Sequence, residues 1–143
     1  MLHSKVAQVY YNVGTTPPQQ TLFYLTNDGL LHAVDANTGR EQWAFLVEED
    51  GGGQLCTGGT CASQPLYSEL GQTWSAPVVT RVNGYANPVA IFGGGYDPNQ
   101  DNEPVTANDT MGRAVYVVDL LTGTPVRRFD GTSVANSSGS MTH

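Results

Sequence analysis

Residues 89–123 read VAIFGGGYDPNQDNEPVTANDTMGRAVYVVDLLTG. An apolar run, Val89 to Phe92, ends in Gly93-Gly94-Gly95. An acidic loop follows, and a second apolar run, Ala114 to Val118, closes on Asp119-Leu-Leu-Thr122-Gly123. Both runs have the length and the β-branched character of strands, and the loop returns the chain. The pattern predicts two adjacent antiparallel strands. The closing Asp-x-x-Thr-Gly decides the fold class because it occurs twice.

The first copy lies in LLHAVDANTGREQWAF (residues 30–45) and the second in AVYVVDLLTGTPVRRF (residues 114–129). Each is an apolar strand, then Asp-x-x-Thr-Gly, then another strand ending in Phe. The turn chemistry explains the pattern. Asp accepts hydrogen bonds from turn amides, Thr does so more weakly, and Gly supplies a positive φ. Asp35, Thr38 and Gly39, and Asp119, Thr122 and Gly123, are read as structural turns rather than as metal or catalytic groups. With two insertions removed, the distance between the copies is one propeller blade of ~40–50 residues.

The rest of the chain supports an all-β meander. At 143 residues it builds one core. Residues 3–14 contain a strand. Thr21–Thr26 is a strand, Asn27-Asp28-Gly29 a tight turn, Leu30–Asp35 the return strand, and Glu41–Val47 a third. Trp74–Arg81, Pro88–Gly95, Arg113–Leu120 and Pro125–Phe129 read as further strands. Residues 48–71 read as a long surface insertion, 96–112 as an acidic loop, and 130–143 as a tail or linker. Trp43 and Trp74 read as packing residues of the core or between blades.

Composition excludes several classes. The net charge is −7, with one Lys and five Arg. No basic face for a nucleic-acid backbone comes from that set. No apolar run approaches the ~20 residues of a membrane helix. The first residues lack the apolar core of a signal peptide, so the expectation is a removed signal or an internal piece. Gly93-Gly94-Gly95 is followed by neither a Lys-Ser/Thr pair nor a helix start, which removes phosphate-loop readings. His3, His32 and His143 are far apart. Ser63, Ser68 and Ser75 carry no nucleophile-elbow pattern. There is no Arg-Gly-Asp triplet.

Two sites remain. Cys56-Thr-Gly-Gly-Thr-Cys61 predicts a disulfide, because Gly58-Gly59 lets the chain fold back on itself; half a metal site is the competing reading. A disulfide implies an oxidising compartment. The second site is the acidic loop, where Asp97, Asn99, Asp101 and Glu103 alternate and Asp109 follows. It is similar to the first half of a calcium loop of the EF-hand kind. Asn102 stands where such a loop has Gly, and Asn108 where it has a bidentate Glu. The other reading is a solvated loop whose Asp and Asn side chains cap their own turns.

Ala33-x-Asp35-x-x-Thr38-Gly39-x-x-x-Trp43 resembles the tryptophan-docking blade motif of quinoprotein-type β-propellers. In the second copy Val117 and Arg127 stand at the Ala and Trp positions. Four stretches together resemble the C-terminal propeller of the PilY/PilC family of type IV pilus assembly and tip-adhesin proteins: residues 26–35, 71–79, 91–97 and 115–119. The resemblance implies a partial β-propeller of roughly two blades, where the full domain has about seven. It also implies a non-enzymatic, periplasmic, outer-membrane or extracellular protein touching pilins or minor pilins and a host or other surface. Open sheet edges would meet the remaining blades or another chain. The family's own calcium loop lies further along the propeller, so it transfers to no residue here. Two alternatives share the blade motif: a fragment of a pyrroloquinoline-quinone-dependent dehydrogenase, and a scaffold propeller of outer-membrane assembly.

Overall fold

The structure, a computed structural model, describes residues 5–11, 18–26, 30–47, 53–64, 69–72, 75–101, 103–104, 108 and 110–130. The Asn27-Asp28-Gly29 turn, Trp74, Asp109, Ser68 and the tail 131–143 lie outside them. The described chain is all-β, with ten strands and one short 3-10 turn. The strands are β1 (Ala7–Tyr11), β2 (Gln19–Leu25), β3 (Leu31–Asp35), β4 (Glu41–Val47), β5 (Gly53–Thr57), β6 (Thr60–Ser63), β7 (Val78–Thr80), β8 (Val89–Gly93), β9 (Val115–Asp119) and β10 (Pro125–Phe129).

Two open antiparallel sheets result. The first has order β1-β2-β3-β4-β5-β6, the second β10-β9-β8-β7. Each strand therefore pairs with its neighbour in sequence, as a meander of short turns dictates. The two apolar runs flanking the acidic loop, β8 and β9, pair with Val89 opposite Asp119 and Gly93 opposite Val115. In β2, Thr21, Phe23 and Leu25 are buried while Leu22 and Tyr24 are half-buried, the period of two that the sequence TLFYL carries.

One face of each sheet supplies the core. Phe23, Leu25, Leu31, Ala33, Trp43 and Phe45 of the first sheet form one cluster with Ala90, Phe92, Tyr116, Val118 and Leu120 of the second. The registers place the first set on a single face, because Phe23 pairs with Ala33, Ala33 with Trp43, and Leu31 with Phe45.

Three expectations change. Within residues 48–71, β5 and β6 extend the first sheet beyond β4. Leu55 faces Phe45 and packs against the core, so the hairpin is built into the fold despite its glycine-rich composition. The strand expected at residues 74–81 contracts to Val78–Thr80. Pro77 has no amide to give a ladder, which suits the late start. The strand expected to run to Gly95 ends at Gly93, because Gly95 turns its amide to the Leu70 carbonyl, 2.8 Å away.

Candidate functional site

The two Asp-x-x-Thr-Gly turns have the same construction. Asp35 Oδ1 accepts the Asn37 and Thr38 amides at 2.9 and 2.8 Å. Asp119 Oδ1 accepts the Leu121 and Thr122 amides at 2.8 and 3.0 Å. The amides of Gly39 and Gly123 then close on the carbonyls of Asp35 and Asp119. Both glycines have positive φ, +70° and +74°, where a Cβ is disfavoured. Both aspartates cap their own turns.

Their surroundings differ. Asp119 is buried, and its second oxygen accepts from the Tyr85 hydroxyl at 2.9 Å and the Asn87 amide at 2.8 Å. Burial works to raise its pKa. The hydrogen bonds from Asn87, Tyr85, Thr122 and Leu121 outweigh burial and hold the carboxyl below the ordinary range. Asp35 is also held low, first by the Thr38 amide.

Trp43 joins the two copies. Its Nε1–H donates to the Leu120 carbonyl, 3.2 Å away, inside the second turn. A Cβ placed on Gly123 would sit 2.6 Å from Trp43 Cδ2 and 2.7 Å from Leu55 Cδ1. The tryptophan of one repeat is thus seated on the glycine turn of the other, with Leu55 of the hairpin beside it. The corresponding position at Gly39 is open, with nothing within 4 Å of an added Cβ.

A second junction lies at the far end of β8. The amides of Gly95 and Gly112 donate to Leu70 and Glu69, and Gln72 and Tyr96 exchange amide bonds. A Cβ on Gly71, Gly94 or Gly112 would meet opposing backbone at 2.8, 2.8 and 1.6 Å. The triple glycine is therefore a place of backbone-to-backbone approach. Glu69 also accepts the Arg128 guanidinium at 2.5 Å, and Asp130 faces Arg128 Nε at 3.2 Å. Arg128 lies 6.0 Å from the centre of the Tyr116 ring.

The acidic loop is built around Asp97. This buried carboxylate accepts the Asn99 amide at 3.1 Å, and the Thr110 amide, Thr110 hydroxyl and Met111 amide at 2.6, 2.9 and 3.0 Å. Burial works to raise its pKa, and those donors bring it below the usual range. Asp101 takes the Tyr96 hydroxyl, and the Asn99 side-chain amide reaches the Asn108 carbonyl at 3.4 Å. Glu103 precedes a cis peptide bond to Pro104. Among the described residues no three His, Cys, Asp or Glu side chains come together to hold a metal ion. Both Asp97 oxygens accept N–H or O–H donors from within the loop, and Asp109 lies outside the described residues. The Asp97-Pro-Asn99 capping was readable from the sequence. The contacts of Trp43, Leu55, Tyr85 and Asn87 were not, since they cross between distant segments.

Cys56 and Cys61 form a disulfide between directly opposed residues of β5 and β6, with Cα atoms 4.0 Å apart. No helix among the described residues is long and apolar enough to cross a membrane. No family model and no curated protein sequence matches the chain.

Proposed function

We propose that this chain is a non-enzymatic structural and interaction module: two consecutive blades of a β-propeller in a type IV pilus assembly and adhesion protein of the PilY/PilC kind. The observation that carries the reading is Trp43 of the first repeat seated on Gly123 of the second. It supports two units of one repeat stacked through that joint. The four-stranded meander β7–β10 has the strand count of a blade, and β1–β4 repeats it. The pilus assignment rests on the four sequence stretches named above. The disulfide favours a periplasmic or extracellular home.

The partners in this reading are pilins or minor pilins, met through exposed sheet faces and edges. A dehydrogenase fragment fits less well. The resemblance gives such enzymes adjacent cysteines stacked on the quinone, whereas Cys56 and Cys61 are paired across a hairpin. The reading includes no calcium step.

The test is binding of the purified, disulfide-intact chain to immobilised purified major and minor pilins, beside purified outer-membrane assembly proteins. Saturable binding to a pilin is expected. Binding to the assembly proteins alone, binding to neither, or quinone absorbance after addition of the cofactor with calcium overturns the proposal.

A further inference from the structure

The loop of residues 81–88, between β7 and β8, holds the one Asn-Gly pair of the chain, Asn83-Gly84. The pair forms the middle of a turn closed by the Tyr85 amide on the Val82 carbonyl at 3.1 Å. Gly84 has a φ of +83°, which glycine adopts without strain. Both residues are exposed, and nothing beyond the chain neighbours lies within 4 Å of a Cβ placed on Gly84. The Asn83 carboxamide and the Gly84 amide make no hydrogen bond among the described residues. The peptide unit between them is therefore free to rotate with the ends of the turn in place, the motion that separates type I from type II turns.

These are the conditions of an intramolecular reaction. Asparagine is thermolabile because its side-chain carbonyl carbon lies within reach of the next main-chain nitrogen. A side chain on the following residue crowds that approach, and a hydrogen bond to either group holds the partners apart. Asn37, Asn87 and Asn99 each fail a condition. The Thr38 amide that follows Asn37 is held by Asp35 at 2.8 Å. Pro88, which follows Asn87, has no N–H, and the Asn87 carboxamide is held by Asp119. The Asn99 carboxamide reaches the Asn108 carbonyl at 3.4 Å.

The turn leads directly to the second Asp-x-x-Thr-Gly cap. Tyr85, next after Gly84, gives its hydroxyl to Asp119 Oδ2 at 2.9 Å. Arg81, before the turn, reaches the Ala86 carbonyl at 3.3 Å. An extra main-chain atom at residue 83 falls inside this loop and moves Tyr85 away from Asp119.

We propose that Asn83-Gly84 is a self-modification site whose product loosens the Asp119 cap. The Gly84 nitrogen attacks the Asn83 side-chain carbonyl carbon. The new C–N bond forms, the carboxamide C–N bond breaks, and the Gly84 proton leaves with the amide nitrogen as ammonia. Water then opens the succinimide ring. Opening at the main-chain carbonyl leaves isoaspartate, with one more backbone atom and one more negative charge. Water is the only co-reactant, so the product accumulates with the age of the protein.

The test incubates folded wild type and Asn83→Gln at mildly alkaline pH, beside the same chains unfolded in guanidinium chloride. The folded wild type is expected to release ammonia, and peptide mapping with isoaspartate methyltransferase is expected to label residue 83. Asn83→Gln is expected to lose both signals. Asp28-Gly29, Asp50-Gly51 and Asp130-Gly131 isomerise without ammonia and map to other peptides. Ammonia from the unfolded wild type alone, or a folded chain without isoaspartate at residue 83, overturns the proposal. Amide exchange at Leu121 and Thr122 reads the effect on the cap. It is expected to be faster in the converted chain and in Tyr85→Phe. It is expected to be unchanged in fresh Asn83→Asp, which brings the charge without the backbone atom. A converted chain that exchanges like the unmodified protein overturns the link to Asp119.

Discussion

Trp43 and Gly123 are in such close contact that no side chain fits between them: a methyl group on Gly123 would lie 2.6 Å from the indole. Gly39 has the same backbone conformation and open space around it. The pair separates two effects. Gly39→Ala carries only the left-handed backbone cost, about 1–2 kcal/mol. Gly123→Ala adds overpacking against Trp43 and Leu55, about 1–3 kcal/mol more. Urea midpoints in dilute protein measure the difference, and equal losses at both sites would remove the joint from the account.

Asp119 makes stability depend on acid. Its folded pKa is lowered from 3.8, so its contribution is complete above that value and is lost as pH falls through the folded pKa. Asp119→Ala leaves the half-buried Tyr85 and Asn87 donors without their acceptor and opens a gap at a buried carboxylate. The expected loss at pH 7 is on the order of 3 kcal/mol. The variant is also expected to show a flatter stability profile below pH 4 than the wild type. Parallel profiles would contradict the assignment.

Tyr116 does the same in alkali. Burial is the main cause of a pKa pushed up to about 12, with Arg128 pulling it down and Glu69 and Asp130 pushing it up. The folded state keeps this proton more tightly than the unfolded chain. Its contribution is therefore present below pH 10 and disappears as pH rises from 10 towards 12. Ultraviolet titration of the wild type against Tyr116→Phe is expected to show one phenol lost from the late-ionising set. Unfolding at high pH is expected to begin later in the variant.

Asp97 orders its loop by hydrogen bonding. Asp97→Ala is expected to speed exchange of the Asn99, Thr110 and Met111 amides by the same factor in chelator and in millimolar calcium. A wild type whose protection at these amides appears only with calcium would reinstate an ion site in residues 97–109.

The disulfide closes a ring of six residues. Chain entropy assigns it about 2 kcal/mol. Reduction is expected to lower the unfolding free energy by that amount and to raise amide exchange first in residues 53–63. Because Leu55 touches the Gly123 turn, Trp43 fluorescence is expected to shift on reduction. An unchanged spectrum would show that the hairpin is mechanically separate from the joint.

The strands were legible because their pattern is local. Apolar alternation in β2 and the turn chemistry of Asp35 and Asp119 need only neighbouring residues to be read. Pro125–Phe129 and Glu41–Val47 came out at their observed ends for the same reason. The hairpin β5–β6 was hidden, since neither of its strands alternates apolar and polar residues. In the acidic loop, spacing alone suggested oxygen ligands around a centre. The direction of the Asp97 oxygens is set by Thr110 and Met111, which lie thirteen and fourteen residues away. The seat of Trp43 on Gly123 depends on how two sheets meet, and spacing within either repeat does not contain it.

The meander order of both sheets bears on how the chain reaches this state. Every strand pair joins elements consecutive in sequence, so each sheet closes short loops and forms early. The bond from Trp43 to Leu120 spans 77 residues. The seating of Trp43 is then expected as the late event, completed after the barrier has been crossed. Substitutions at that joint are expected to change the unfolding rate far more than the folding rate, because contacts absent from the transition state act on escape from the native state. The lifetime of the folded chain is accordingly governed by one indole on one glycine.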